Sequence, residues 1–127
     1  MSQIGLKLTE CLSLRDLVFS LDERIRYFGF LDNKRGMVVS ELRKEYERHP
    51  AENQLIRDLT FFKGAMANWS LYFGTVRYSV VSHDSFKIIM IPVESGLLIM
   101  TGEPDLPLEH VEKLSESIRS KLALGKV

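Results

Sequence analysis

Cysteine, net charge and long apolar runs are all scarce in this sequence. Cys11 is the single cysteine among 127 residues, so no disulfide can form within the chain, and a reducing compartment is expected. Seventeen basic residues balance seventeen acidic ones without a basic stripe, which disfavours binding to DNA or RNA. No apolar run approaches the roughly 18 residues that span a bilayer, and residues 1–7 lack the apolar core of a signal peptide. We therefore expect a cytosolic protein that folds as one domain, residues 1–127, on its own hydrophobic core.

Residue types that carry chemistry are present, but not in catalytic or metal-binding patterns. Residues 82–85 unite serine, histidine and aspartate, yet adjacent residues rarely converge as a triad, and this segment fits a hairpin turn. His49 precedes Pro50 at the expected entry to a helix, and His110 is expected on the surface. The histidines and the cysteine have no zinc spacing, and the glycines form no phosphate-binding loop. We expect no enzymatic activity, no metal and no cofactor.

The first half of the chain predicts a helix followed by a hairpin. Thr9 can cap a helix that runs to about Glu23. Residues 25–32 then alternate with period two and are apolar on both sides, which predicts a strand covered on both faces. The polar link 32–36 favours a hairpin into an edge strand at 37–42. The alternation places Ile25, Tyr27 and Leu31 on one face of the first strand, and Phe28 and Phe30 on the other.

The second helix, predicted from Pro50 to a stop at Gly74, has two apolar sectors. At about 100° per residue, one stripe spans roughly 80° and should face the sheet, while a second set lies on a flank roughly 60° to 120° away. Trp69→Ala in the stripe is expected to cost about 3 to 5 kcal/mol as a core cavity. The stripe comprises Leu55, Leu59, Phe62, Met66, Trp69 and Phe73, and the flank comprises Phe61, Ala65, Asn68 and Tyr72.

The second half predicts three consecutive strands and a last helix. The strands are expected at 75–82, 86–93 and 96–101, and the helix from Pro107 to Gly125. The last two strands are apolar on both sides and belong inside the sheet, whereas the first alternates more cleanly and suits an edge. Pro92 has no amide donor and should lie at a strand end or a bulge. The result is an α+β fold of topology αββαβββα.

Two stretches resemble the roadblock family of dynein light chain-related domains, which has a profilin-like fold. They are the predicted hairpin at residues 27–39 and the last strand leading into the final helix at 97–108. The resemblance covers nearly the whole chain and implies a five-stranded antiparallel sheet in the order 2-1-5-4-3, with helices on both faces. The chain is also similar to small archaeal proteins of this build.

The resemblance further implies a noncatalytic adaptor that forms a homodimer through the second helix and the neighbouring edge strand, and that docks small Ras-like GTPases or scaffold proteins. An edge strand is a natural template for pairing with another copy. The alternative is that Phe61 and Tyr72 merely pack against the charged segment 43–48. Carried over by position, the interface comprises Phe61, Ala65, Asn68 and Tyr72 of the helix with Val76 and Tyr78 of the third strand.

A small-molecule sensor of PAS-like shape is the alternative function, because related folds hold ligands between sheet and helix. Four aromatic residues could line such a pocket, although aromatic residues at these spacings are usually core. These residues are Trp69, Phe62, Phe28 and Phe30.

Overall fold

In the computed structural model, which describes residues 6–48 and 50–123, an antiparallel sheet of five strands is covered by helices on both faces. The strand order is β2-β1-β5-β4-β3, as the roadblock resemblance implied. The helices are α1 (Leu8–Leu21), α2 (Glu52–Phe73) and α3 (Leu108–Ala123), and the strands are β1 (Ile25–Asp32), β2 (Gly36–Leu42), β3 (Ser79–Ser82), β4 (Lys87–Val93) and β5 (Gly96–Gly102).

Burial follows the apolar pattern of each strand. Every residue of β1 except Arg26 is buried, and the centres of β4 and β5 are buried throughout. β2 has a single buried residue and β3 has none, so the predicted edge strands are confirmed. Strands that are apolar on both sides can release both faces from water only in the middle of a covered sheet.

Two separate cores lie on the two faces of this sheet. We call them the α1/α3 face and the α2 face after the helices that cover them. The α1/α3 core contains Cys11, Leu14, Val18, Ile25, Phe28, Phe30, Val39, Ile89, Ile91, Leu98, Met100, Leu106, Val111, Leu114 and Ile118. The α2 core is smaller and contains Tyr27, Leu31, Leu59, Met66, Ile88, Met90, Leu97 and Ile99.

A bulge in β1 corrects the predicted alternation at its start. Ile25 pairs with Gly102 and Tyr27 pairs with Thr101, so Arg26 is an additional residue in this strand. Because the extra residue shifts the alternation, Ile25 packs in the α1/α3 core rather than beside Tyr27. The predicted faces of Tyr27, Phe28, Phe30 and Leu31 are confirmed.

Element boundaries differ from the predictions at three places. Thr9 lies inside α1, whose N-cap is Lys7; the Lys7 amide donates to Glu10 Oε1 at 2.8 Å. α2 begins at Glu52 instead of Pro50 and ends at Phe73, directly before Gly74, whose φ of 89° explains the stop. β3 begins four residues later than predicted, at Ser79. His49 and Gly125 lie outside the described residues.

The hairpin between β1 and β2 is held by the buried carboxylate of Asp32. Its oxygens accept hydrogen bonds from the Lys34 amide at 2.8 Å, the Arg35 amide at 3.0 Å and the Arg35 guanidinium at 3.0 Å. Gly36 closes the turn with a φ of 76°, a conformation that disfavours residues with a Cβ atom. The guanidinium and the two amides lower the pKa of Asp32 from 3.8 to about 2.

None of the helices in the described part of the chain is long and apolar enough to cross a membrane.

Candidate partner interface

The outer flank of α2 presents large apolar side chains to solvent. Leu59 and Met66 of the same helix are buried against the sheet, whereas Phe61 is 83% exposed and Tyr72 is 76% exposed. These exposures exclude the alternative that the two rings pack against segment 43–48. Large aromatic side chains in such a position are typical of a surface that another molecule covers.

Small residues lie between the two exposed rings. Ala65 is half-buried and Asn68 is exposed. A Cβ atom added to Gly64 would meet no heavy atom within 4 Å, so the helix backbone is open to solvent on this side. A second helix could therefore approach closely at Gly64 and Ala65, with Phe61 and Tyr72 on either side.

The last turn of α2 does not complete the predicted core stripe. Ser79 of β3 donates a hydrogen bond to the Met66 sulfur at 3.3 Å, so the sheet covers the helix at that point. Further along, Trp69 is 47% exposed, with its ring edge-on to Phe62 at 6.2 Å, and Phe73 is 84% exposed. The assignment of Trp69 and Phe73 to the core is therefore wrong. Helical angle alone predicts which way a side chain points, not whether the sheet extends beneath it.

Val76 and Tyr78 are placed differently from the predicted strand. Both precede β3 and lie in the linker that follows α2. Val76 packs on the α2 core, whereas Tyr78 packs on the α1/α3 core and donates from its hydroxyl to Glu112 Oε1 at 3.0 Å. This hydrogen bond raises the pKa of Tyr78. The two side chains thus pack on opposite faces of the sheet, which sets them apart from the exposed flank of α2.

The edge strand of the candidate interface is β3 itself. β4 pairs with its inner side, and no strand within residues 6–48 and 50–123 pairs with its outer side. The linker beside it is held by Arg119 of α3, whose guanidinium donates to Val76 O at 3.1 Å and Arg77 O at 2.6 Å. The same guanidinium donates to Pro92 O at 3.3 Å. Pro92 lies beyond Met90, which is the last residue of β4 that pairs with β3.

The four aromatic residues predicted to line a sensor pocket do not meet. Phe28 and Phe30 lie in the α1/α3 core, whereas Phe62 and Trp69 contact each other on the α2 side of the sheet. The sheet separates the two pairs, so one pocket cannot contain all four. The prediction failed because it combined helix and strand residues without assigning them to a face.

His83 and His110, the histidines in the described part of the chain, lie on different elements. The predicted turn at residues 82–85 joins β3 to β4, and the ring of His83 stacks on Phe86 at 5.2 Å. His110 is exposed, with Nδ1 2.5 Å from Asp22 Oδ2. No group of three or more potential metal ligands converges in the described part of the chain.

The topology and strand order are those of the roadblock-like fold that the sequence resemblance implied. No protein-family model matches the sequence, and no curated protein matches it significantly. The gliding protein MglB from Thermus thermophilus has the same fold, with 15% identity over 91% of this chain and 90% of that chain and a TM-score of 0.68. At this identity the likeness establishes the fold alone.

Two further solved structures agree with this assignment. An MglB described as having a tetrameric arrangement has 13% identity over 100% of this chain and 97% of that chain, with a TM-score of 0.69. Myxococcus xanthus MglB has 13% identity over the same shares of the two chains and a TM-score of 0.64.

Sequence reasoning missed one large apolar side chain of α2 that is exposed to solvent. Leu71 is 78% exposed, on a different side of the helix from Tyr72. Its signal is visible in the sequence, because Leu71 belongs to neither the stripe nor the flank and therefore has no packing partner to assign.

Proposed function

We propose that this chain is a cytosolic, noncatalytic interaction module that forms a homodimer through the outer flank of α2 and the edge of β3. The observation that carries the proposal is the exposure of Phe61 and Tyr72 on either side of the small residues Gly64 and Ala65. Burying this flank against a second copy would remove two aromatic rings of each copy from water.

A two-fold arrangement suits both parts of the interface. In a symmetric dimer the same patch meets itself, so a flank with aromatic ends and a small centre can accept its own copy. Residues 79–82 could pair with their counterparts at the open edge and extend the sheet. The roadblock resemblance implies this kind of association, and the MglB described as having a tetrameric arrangement supports self-assembly of a chain with this fold.

We further propose that the dimer, rather than the monomer, docks a small Ras-like GTPase or a scaffold protein. Pairing two copies creates a composite surface from two α2 helices, which neither copy has alone. Isothermal titration of the dimer with a Ras-like GTPase, loaded with GDP or with a nonhydrolysable GTP analogue, tests this step. Saturable binding by the dimer and none by a monomeric variant is expected. Equal binding by both would show that docking does not need self-association.

Ala65→Arg tests the dimer directly. The substitution places a charge at the centre of the flank, and we expect a dimer to become a monomer that keeps its fold and still melts cooperatively, at a temperature lowered by the lost association. The measurement is molar mass by light scattering over a micromolar concentration range, with circular dichroism to check the fold.

Ala67→Arg is the matched control for this variant. Ala67 is exposed on the same helix, roughly 160° away from Ala65 at about 100° per residue. The control should remain dimeric. A wild-type chain that is monomeric throughout, or a control that dissociates as readily as Ala65→Arg, would contradict the proposed interface.

A further inference from the structure

A cleft of about 480 Å³ lies between the sheet and the N-terminal half of α2. Its floor contains Leu59, Ile88 and Ile99, all buried against the α2 face. Leu55 and Thr101 line the same space and are only half-buried, because the helix does not close fully on the sheet at this point. Volume and lining are in the range of small-molecule sites.

The bulge in β1 turns Arg26 toward this cleft. Arg26 and Tyr27 are neighbours in sequence, yet both line the cleft because the extra residue breaks the alternation. The Arg26 guanidinium lies over the ring of Tyr46, with 5.3 Å between its central carbon and the ring centroid, and donates to Glu103 Oε2. Tyr46 donates to the other carboxylate oxygen of Glu103 at 2.6 Å. The rim is thereby held in place without a ligand.

The segment that follows β2 is anchored over the cleft from both ends. Arg43 donates from its backbone amide to Arg26 O at 2.8 Å and from its guanidinium to Asp22 O at 2.8 Å. Arg48 donates to Ser40 O at 2.6 Å. A rim that is already ordered lowers the entropic cost of binding a ligand.

Charges along the described lining cancel. Arg26 and Arg48 are opposed by Glu47 and Asp58, and Arg26 is also paired with Glu103. An ion entering this space would lose hydration, while Arg26 is already paired and the formal charges of the described lining sum to zero, so a neutral molecule is favoured. The walls also include the rings of Tyr27, Tyr46 and Phe86, against which a flat aromatic molecule can stack.

We propose that the cleft binds a neutral, largely apolar aromatic small molecule, with the Thr101 hydroxyl as one polar contact. The proposal goes beyond the interaction module and does not depend on it, because every described residue that lines the cleft belongs to one chain. It also relocates the predicted sensor site from the helix centre to the N-terminal half of α2.

The test is a fluorescence titration with N-phenyl-1-naphthylamine, a neutral aromatic probe whose emission rises in apolar surroundings. Saturable binding of one probe per chain is expected. Thr101→Phe should fill the cleft and weaken binding by roughly tenfold or more, whereas Thr101→Val, which removes only the hydroxyl, should weaken it by a smaller factor of about threefold. Leu71→Ser removes an exposed apolar residue outside the cleft and should leave binding unchanged.

A second measurement holds even if Thr101→Phe does not fold. Methyl NMR of the wild-type chain during the same titration should show shifts centred on Leu42, Leu59, Ile88 and Ile99. Probe binding that does not saturate, or shifts centred on Leu71 and the last turn of α2, would overturn the proposal. Ala65→Arg should become monomeric and still bind the probe. A failure of the proposed dimer can therefore be distinguished from a failure of the proposed ligand site.

Discussion

The two faces of the sheet are covered in different ways. On the α1/α3 face, two helices cover a large core in which Phe28, Phe30 and Leu98 are completely buried. On the α2 face, one helix covers a sheet of the same width, leaving a cleft near its start and exposed aromatic rings near its end. A helix has a limited apolar width, so one helix covers less of a twisted sheet than two. The α1/α3 face therefore holds most of the buried apolar side chains, and the α2 face holds the two candidate binding surfaces proposed above.

The largest expected effect tests the α1/α3 face. Phe28→Ala should lower the free energy of unfolding by roughly 3 to 5 kcal/mol, because it leaves a cavity in the α1/α3 core. Chemical denaturation in the monomeric Ala65→Arg background measures this loss without a contribution from dimer dissociation. A loss below about 1 kcal/mol would show that the α1/α3 face is no better packed than its opposite.

The second-largest expected effect concerns Asp32 in the hairpin between β1 and β2, which belongs to neither core. Asp32 has a pKa lowered from 3.8 to about 2 by Arg35 and the turn amides, so its ionised form stabilises the fold at neutral pH. Asp32→Asn should cost about 2 kcal/mol at pH 7, and the difference from wild type should shrink as the pH falls from about 4 through about 2.

The matched control for this pH dependence is Asp105→Asn. Asp105 is well exposed, and its carboxylate lies 3.9 Å from Arg24, so the ion pair is screened by solvent. This variant should differ from wild type by less than about 0.5 kcal/mol at every pH. If both variants showed the same pH dependence, the ionised Asp32 carboxylate would not be what stabilises the hairpin.

The smallest expected effect tests the α2 face. Trp69→Ala should lower the free energy of unfolding by about 1 to 2 kcal/mol, because half of the side chain is already exposed and only its edge contact with Phe62 is well defined. The measurement is again chemical denaturation in the Ala65→Arg background. A loss equal to that of Phe28→Ala would mean that the α2 face is as well packed as the α1/α3 face.

Much of the fold could be predicted because the strands differ so clearly in pattern. Two apolar faces placed β1, β4 and β5 inside, and mixed faces placed β2 and β3 at the edges. The position of Ile25 could not be predicted, because a bulge changes the alternation without a signal in residue type. The length of β3 was overestimated because Val76 and Tyr78 alternate like strand residues while packing as parts of a linker.

The candidate sites were less predictable than the fold. Helical periodicity identified the flank of Phe61 and Tyr72, both of which are exposed in the structure, but it misplaced Trp69 and Phe73 in the core. The cleft could not be foreseen, since it depends on how closely α2 approaches the sheet and on the network that joins Arg26 to Tyr46. Both are properties of tertiary packing rather than of local pattern.

Arg119 has a consequence for aggregation that follows from the shape of the β3 edge. Beyond residues 79–82, the backbone carbonyls of Val76, Arg77 and Pro92 already accept hydrogen bonds from this guanidinium, and Pro92 has no amide hydrogen to offer. An incoming strand therefore finds these carbonyls already occupied on both sides of the short β3. A long exposed edge strand can pair with one chain after another and so begin a fibril. The edge of β3 is too short for this, but it can still pair with one partner strand.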